Sequence, residues 1–335
     1  LSPSEQNITA AILKVSSDRE KAVYFLTRHR ERDISDGSET GYTTIADRLR
    51  NQNYRVETLN LVVSKTIPSD ATVVVVAGPQ DKLLEEELTA LQDYLSQGGR
   101  ALIMQDPNYE TGINLALSKW EVGFGKGVVI DPVSAYRYAS WPVPAQFDLG
   151  SNITQDLGNS IIVLPGTRYI ETADAIPENI SYSALLQTTD QSWAETDTEE
   201  GEISKDAEDV PGPLTMAASI ETEATAGAST EGGSTKTRIV LIGSSGFAAN
   251  GSVELPGNSA LFLNSVNWLA EEESLIAIGP KDAMRDPVVF TEIGRNLICF
   301  FSIIAIPGVI LAAGIGVWIW RRFRLKSWNN REMES

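Results

Sequence analysis

Residues 73–107 read VVVVAGPQDKLLEEELTALQDYLSQGGRALIMQDP, and their order of patterns decides the fold class. The segment opens inside an uninterrupted apolar run, 72–77, of the kind required of a strand buried on both faces of a parallel sheet. Gly78-Pro79 ends it. Leu84, Leu88, Leu91 and Leu95 then recur at helical spacing, Gly98-Gly99 marks the helix end, and 101–104 gives another short strand before Asp106-Pro107. Upstream the alternation repeats. AVYFL at 22–26 predicts a strand, Tyr42, Ile45, Ala46 and Leu49 mark one face of a helix, and 54–59 predicts a further strand. The expected fold is therefore α/β, an open, parallel-rich sheet flanked by helices.

Beyond Trp120 the pattern loosens. Short strands are expected at 127–130, 161–164 and 168–170, longer ones at 214–220 and 238–242, and a helix over 258–271 with Phe262, Val266 and Leu269 on one face. Two polar stretches interrupt this half. Residues 195–211 begin with eight acids, from Glu195 to Asp209, against one Lys, and 221–237 is rich in Thr, Ala, Gly and Ser. Both are expected as solvated loops within one α/β domain over 21–280.

Composition narrows the function. With 27 Lys and Arg against 45 Asp and Glu, a net charge of -18 repels nucleic-acid phosphates. One cysteine, Cys299, and one histidine, His29, exclude an intrachain disulfide, a Cys-based zinc cluster and a multi-His metal site, so no metal or cofactor is expected. Gly123, Gly125 and Gly127 form neither a dinucleotide fingerprint nor a Walker motif, and Gly243-Ser244-Ser245-Gly246 lacks the spacing of a nucleophile elbow. Catalysis is not expected. A membrane-tethered hydrolase or carbohydrate-processing enzyme would have to use His29, and a ligand sensor is a third reading.

Ligands of open α/β sheets bind beyond the strand carboxyl ends, here the loops 27–38, 77–81, 104–109 and 243–250. Their candidate binding residues are His29, Arg28, Glu31, Gly78, Gln80 and Asp106. Arg28, Arg30 and Arg32 around His29 could hold an anion, although a histidine among loop charges reads first as part of an ordinary solvated loop.

At the other end, LICFFSIIAIPGVILAAGIGVWIW at 297–320 carries no charge over a length of about 36 Å as a helix, enough for a hydrocarbon core of about 30 Å. A transmembrane helix is predicted there, after a juxtamembrane segment, 281–296. Trp318 and Trp320 precede Arg321, Arg322, Arg324 and Lys326, which sets the tail, 321–335, in the cytoplasm and the folded domain outside. Gly308, Ala312 and Gly316 recur every four residues and form a candidate face for a partner helix. The chain starts with Leu and no signal peptide follows it, so an upstream export signal or transmembrane helix is expected to be missing from this sequence, and residues 1–20 are expected, on the family resemblance given below, to be the remnant of an upstream segment.

An ordered series of these segments resembles the GldG-like family of auxiliary subunits of ABC transport systems. It runs from VYFLTRHRERD (23–33) through 73–107, VVIDP (128–132), SWAETD (192–197), GPLTMAASIE (212–221), RIVLIGSSGFAANG (238–251) and LFLNSVNWLAEEE (261–273) to the apolar span with its Arg-Arg exit. The resemblance implies a flavodoxin-like or class I glutamine-amidotransferase-like soluble domain without the nucleophile, in a plasma-membrane protein whose partners are an ABC permease and an ATPase. This chain departs from the family twice. Arg28 and Arg30 flank His29 where relatives often have glycines, and Gly243-Ser244-Ser245-Gly246-Phe247 lacks two carboxylates of the corresponding family loop.

Overall fold

The computed structural model describes residues 21–173, 175–196, 204–225, 236–272, 301, 306–308 and 311–318. The expectations for 1–20, 281–296 and 321–335 lie outside the described residues, as do 197–203 and 226–235 of the two polar stretches. The chain divides into one compact unit ending at Ala283 and a second from Met284 to Ser335.

The first half builds the sheet as its pattern requires. Strand β1 (Lys21–Leu26) leads through a long loop to helix α1 (Thr43–Asn51), then β2 (Tyr54–Leu59), the short α2 (Leu61–Ser64), β3 (Ala71–Ala77), α3 (Glu85–Ser96), β4 (Arg100–Met104) and α4 (Ile113–Leu117). Short strands follow at β5 (Val122–Phe124), β6 (Val128–Ile130), β7 (Gln146–Phe147) and β8 (Ile170–Thr172). The rest comprises β9 (Ile180–Gln187), β10 (Trp193–Glu195), β11 (Val210–Pro211), β12 (Thr215–Glu223), β13 (Lys236–Ile242) and α5 (Pro256–Leu269). An eight-stranded sheet runs in the order β2-β1-β3-β4-β13-β12-β9-β7. Its first five strands are parallel and the last three add antiparallel.

Both sheet faces are buried, which is why β3 is continuously apolar. Val73, Val75 and Ala77 pack with Ile45 and Leu49 of α1 and Phe262 and Val266 of α5. Val76 points the other way, into a core with Leu88, Leu91 and Leu95 of α3. Each such aliphatic side chain contributes about 1.5–3 kcal/mol relative to an exposed one, so loss of either helix layer would unfold the sheet. Pro256 occupies the first turn of α5, where its missing N–H costs no intrahelical bond.

Three expectations need correction. Residues 161–164 form no strand. Val163 exchanges its backbone bonds with a side chain, donating to Asn258 Oδ1 at 2.8 Å and accepting from Nδ2 at 3.1 Å, while the Leu164 N–H goes to Pro142. The strand expected at 168–170 lies instead at Ile170–Thr172, paired with β5. The acidic stretch is not wholly solvated: Glu195 and Asp209 are buried, Glu195 accepting from Trp193 Nε1 and Asp209 from the N–H groups of Thr196 and Asp206.

No helix among the described residues is long and apolar enough to cross a membrane. Of the expected span 297–320, residues 306–308 and 311–318 are helical and exposed, and most of the remainder lies outside the described residues. Gly308, Ala312 and Gly316 fall within the helical parts, with open space around the Cα of both glycines.

Candidate functional site

Strand β1 lies between β2 and β3, so the chain order reverses at β1/β3, and the loops beyond those carboxyl ends diverge to leave the place where such sheets accept ligands. The loop after β1 is fastened across it. The Arg32 N–H donates to Ala77 O, the N–H groups of Gln80 and Asp81 both donate to His29 O, and Tyr42 Oη donates to Ser245 O at 2.6 Å. Burial pushes the Tyr42 phenol well above its ordinary range, which keeps it a donor at all working pH values.

Asp106, at the end of β4, organises the first of two polar clusters. One carboxylate oxygen accepts the backbone N–H of Ser245; the other accepts Ser245 Oγ at 2.6 Å and Arg32 Nη2 at 3.2 Å. Arg32 Nε closes the ring on Ser245 Oγ at 3.0 Å. Three loops, after β1, β4 and β13, are thus joined by one carboxylate. Gly78, after β3, sits against this ring with φ of +65°, and a Cβ there would collide with Ser245.

His29 belongs to a second cluster and is not in a solvated loop. It is 6% exposed, with Nδ1 3.1 Å from Glu31 Oε1 and Nε2 2.9 Å from Glu87 Oε2. Glu31 also accepts the His29 backbone N–H at 2.7 Å, and Glu87 accepts the Leu84 N–H at 3.0 Å. Glu87 is the third residue of α3, so one carboxylate caps the helix and clamps the histidine. With both ring nitrogens turned to carboxylates, the imidazole is fixed and offers no free nitrogen to a substrate. Glu87 Oε1 has no hydrogen-bond partner among the described residues.

The structure therefore brings Gly78 and Asp106 into one cluster, His29 and Glu31 into another, and links the second to the β3 loop through the Gln80 N–H. Arg28 stands outside both, exposed, with φ of +106°. Arg30 reaches only to within 4.0 Å of the exposed Asp81, so the three arginines do not converge on an anion. Glu87 and Ser245 were not candidates from sequence. Glu87 carries a legible signal, a carboxylate three residues after the helix boundary, whereas nothing near Ser245 announces a partner 139 positions away. Among the described residues no group of three His, Cys, Asp or Glu is placed to hold a metal ion.

Several known proteins are similar to this chain in sequence or in structure. The mouse (Mus musculus) intraflagellar transport protein 52 homolog is 27% identical over 105 residues, which is 30% of this chain. The match spans 24% of that relative's length. The solved mmIFT52 N-terminal domain superposes with a TM-score of 0.52 at 17% identity, covering 74% of this chain and 97% of that domain, so the two share a fold. A ThuA-like protein from Bacteroides uniformis gives 0.45 at 12% identity, over 76% of this chain and 92% of its own. A family model described as an "ABC-type uncharacterized transport system" matches residues 20–265, the whole of the sheet and most of α5, and the chain belongs to that family of ABC transport auxiliary proteins.

Proposed function

We propose that this chain is a non-enzymatic auxiliary subunit of the GldG-like kind, anchored in the plasma membrane with its α/β domain outside, and that it works with an ABC permease and an ATPase supplied by other chains. One observation carries the reading: the polar side chains at the strand carboxyl ends are bonded to one another. Asp106 is occupied by Ser245 and Arg32, and His29 by Glu31 and Glu87. A hydrolase needs a base free to take a proton from a nucleophile or water, and the engagement of Asp106 and of both His29 ring nitrogens supports a non-catalytic role. The parallel order β2-β1-β3-β4-β13 supports a flavodoxin-like or amidotransferase-like domain, here put to use as a rigid docking body. The uncharged run 297–320 and its basic exit support the anchor and a cytoplasmic tail.

The test is affinity purification of the complete protein in detergent, with identification of the membrane proteins that accompany it. A permease and an ATPase are expected; recovery of the chain alone at normal expression would overturn the reading. Replacing Gly308, Ala312 and Gly316 together by Leu is expected to preserve insertion and abolish that co-purification, because larger side chains hold helix backbones apart. His29→Ala separates this reading from an enzymatic one. Cellular function should fall no further than the lost stability accounts for, whereas abolished function in a fully folded variant would revive catalysis.

A further inference from the structure

The two edges of the main sheet are finished differently. Beside β9, the outer edge is covered by β7 and by the N–H groups of Ala145 and Asp148, which donate to Gln187 O and Leu185 O. On the far side, β2 pairs among the described residues only with β1. A six-residue edge with open backbone groups is a template for another strand unless it is blocked.

We propose that this edge of β2 receives a second copy of the same chain, in an antiparallel, two-fold symmetric strand pair centred on Val56. The backbone fixes which groups are available. The Leu59 carbonyl faces β1, accepting the Thr27 N–H at 2.9 Å, and successive residues of a strand turn their N–H and C=O groups to opposite edges. Tyr54, Val56 and Thr58 therefore present theirs outward. A two-fold axis must pair these outward residues with one another, which leaves centres at Arg55, Val56 or Glu57 within the middle of the strand. The side chains choose among them. Centring on Arg55 sets that cation against its own copy, and centring on Glu57 does the same for the anion. Centring on Val56 sets Arg55 directly opposite Glu57 of the second copy, twice, at non-hydrogen-bonded positions where Cα atoms approach to about 4.5 Å. The same register joins Val56 to Val56 and Tyr54 to Thr58 through backbone hydrogen bonds.

The surroundings fit. Arg55 is already held over the Tyr24 ring, 5.9 Å from its centroid, and bonded to Asp70, so little side-chain freedom remains to be lost. Glu57 is exposed and reaches Arg55 of its own chain only at 4.0 Å. Just past the strand, Val62 and Val63 of α2 are 48% and 72% exposed. The result is one continuous sheet across two subunits, a closed symmetric interface that leaves the carboxyl-end loops free for other partners.

The experiment is charge reversal in the full chain, read as protein mass by light scattering corrected for bound detergent. Wild type is expected at twice the chain mass. Arg55→Glu and Glu57→Arg should each weaken association about tenfold or more, as two opposite-charge pairs become two like-charge ones. Mixing these two variants should restore dimers, because each then meets its complement, and the doubly reversed chain should dimerise alone. Losing the Arg55–Asp70 pair cannot produce that recovery, so a folding defect is distinguished from a lost interface. A monomeric wild type, including one whose edge is taken by its own residues 1–20, overturns the proposal. So does a dimer indifferent to both reversals.

Discussion

Asp106 holds Ser245 by two bonds, one to its backbone N–H and one, of 2.6 Å, to its hydroxyl, across 139 positions of sequence. The pair fixes the loop after β13 to the end of β4, its neighbour in the parallel sheet. Tyr42 then bonds the Ser245 carbonyl, and Asn250 accepts the Thr44 N–H and donates to Asp36 O and Ser38 O, so the long loop after β1 is drawn onto the same anchor. The loops after β1, β4 and β13 are thus braced against one another.

That bracing predicts the cost of removing its centre. Asp106→Ala leaves the fully buried Ser245 N–H without an acceptor and strips Arg32 of its carboxylate, so a loss of about 2–4 kcal/mol is expected from denaturant midpoints at unchanged slope. Arg32→Ala, at a partly exposed side chain, should cost about 1 kcal/mol or less. Equal losses would mean that the carboxylate serves Arg32 alone.

Backbone conformation predicts opposite signs at two neighbouring loops. Gly78→Ala forces a side chain into positive φ and into Ser245, and should destabilise by about 2 kcal/mol or more. Arg28→Gly relieves a φ of +106° at an exposed residue and should stabilise by up to about 1 kcal/mol. Paired thermal melts of the two variants give the comparison.

Asn258 stands in for a missing strand. Its amide accepts the Val163 N–H and donates to the buried carbonyls of Val163 and Phe247 and to the half-buried Ser252 carbonyl. Asn258→Leu keeps the branched shape but adds bulk and deserts every one of these groups, so a loss of about 3–5 kcal/mol, or failure to fold, is expected. Asn258→Asp keeps the acceptor for the Val163 N–H but sets a buried carboxylate oxygen against three carbonyls, so it should cost at least as much at neutral pH.

These cases mark where sequence is legible. The apolar run at 73–77 and the leucines of α3 declare themselves because burial on one or two faces dictates their spacing, and the parallel half of the sheet follows from them. β9 is different. ISYSALLQ carries serines at two positions, and its pairing with β12, and at its end with β7, makes it a strand. Residues 161–164 mislead in the opposite sense, apolar enough for a strand but satisfied by Asn258. In the site, Asp106 and Gly78 were legible from their places at strand ends. His29 was found but misjudged, because its burial depends on Glu87 from another element. Ser245 lies in a loop, 243–250, that its place after a strand made legible, but its pairing with Asp106 was not, since a contact between distant loops leaves no local period.

The β12–β13 pair supplies a test by pH. Burial pushes the Glu221 carboxyl up, yet the hydrogen bond from Lys236 at 2.6 Å and the charge of Arg238, whose Nε lies at 2.7 Å, hold it below its ordinary value. A carboxyl with a lowered folded-state pKa contributes stability that is present above its unfolded value of about 4.3 and disappears as pH falls through the folded one. Lys236 has the reciprocal shift, upward, through its hydrogen bond to Glu221, so its share is present below about 10.4 and vanishes as pH rises past the folded value. Melting temperatures of wild type and Glu221→Gln should therefore differ most between those limits. The gap should close on acidification, where the wild-type carboxyl takes up a proton and the two side chains become nearly alike, and should narrow again in strong alkali. A gap that stays constant from neutral pH down to pH values below the carboxyl range would show that Glu221 acts through packing and not through its charge.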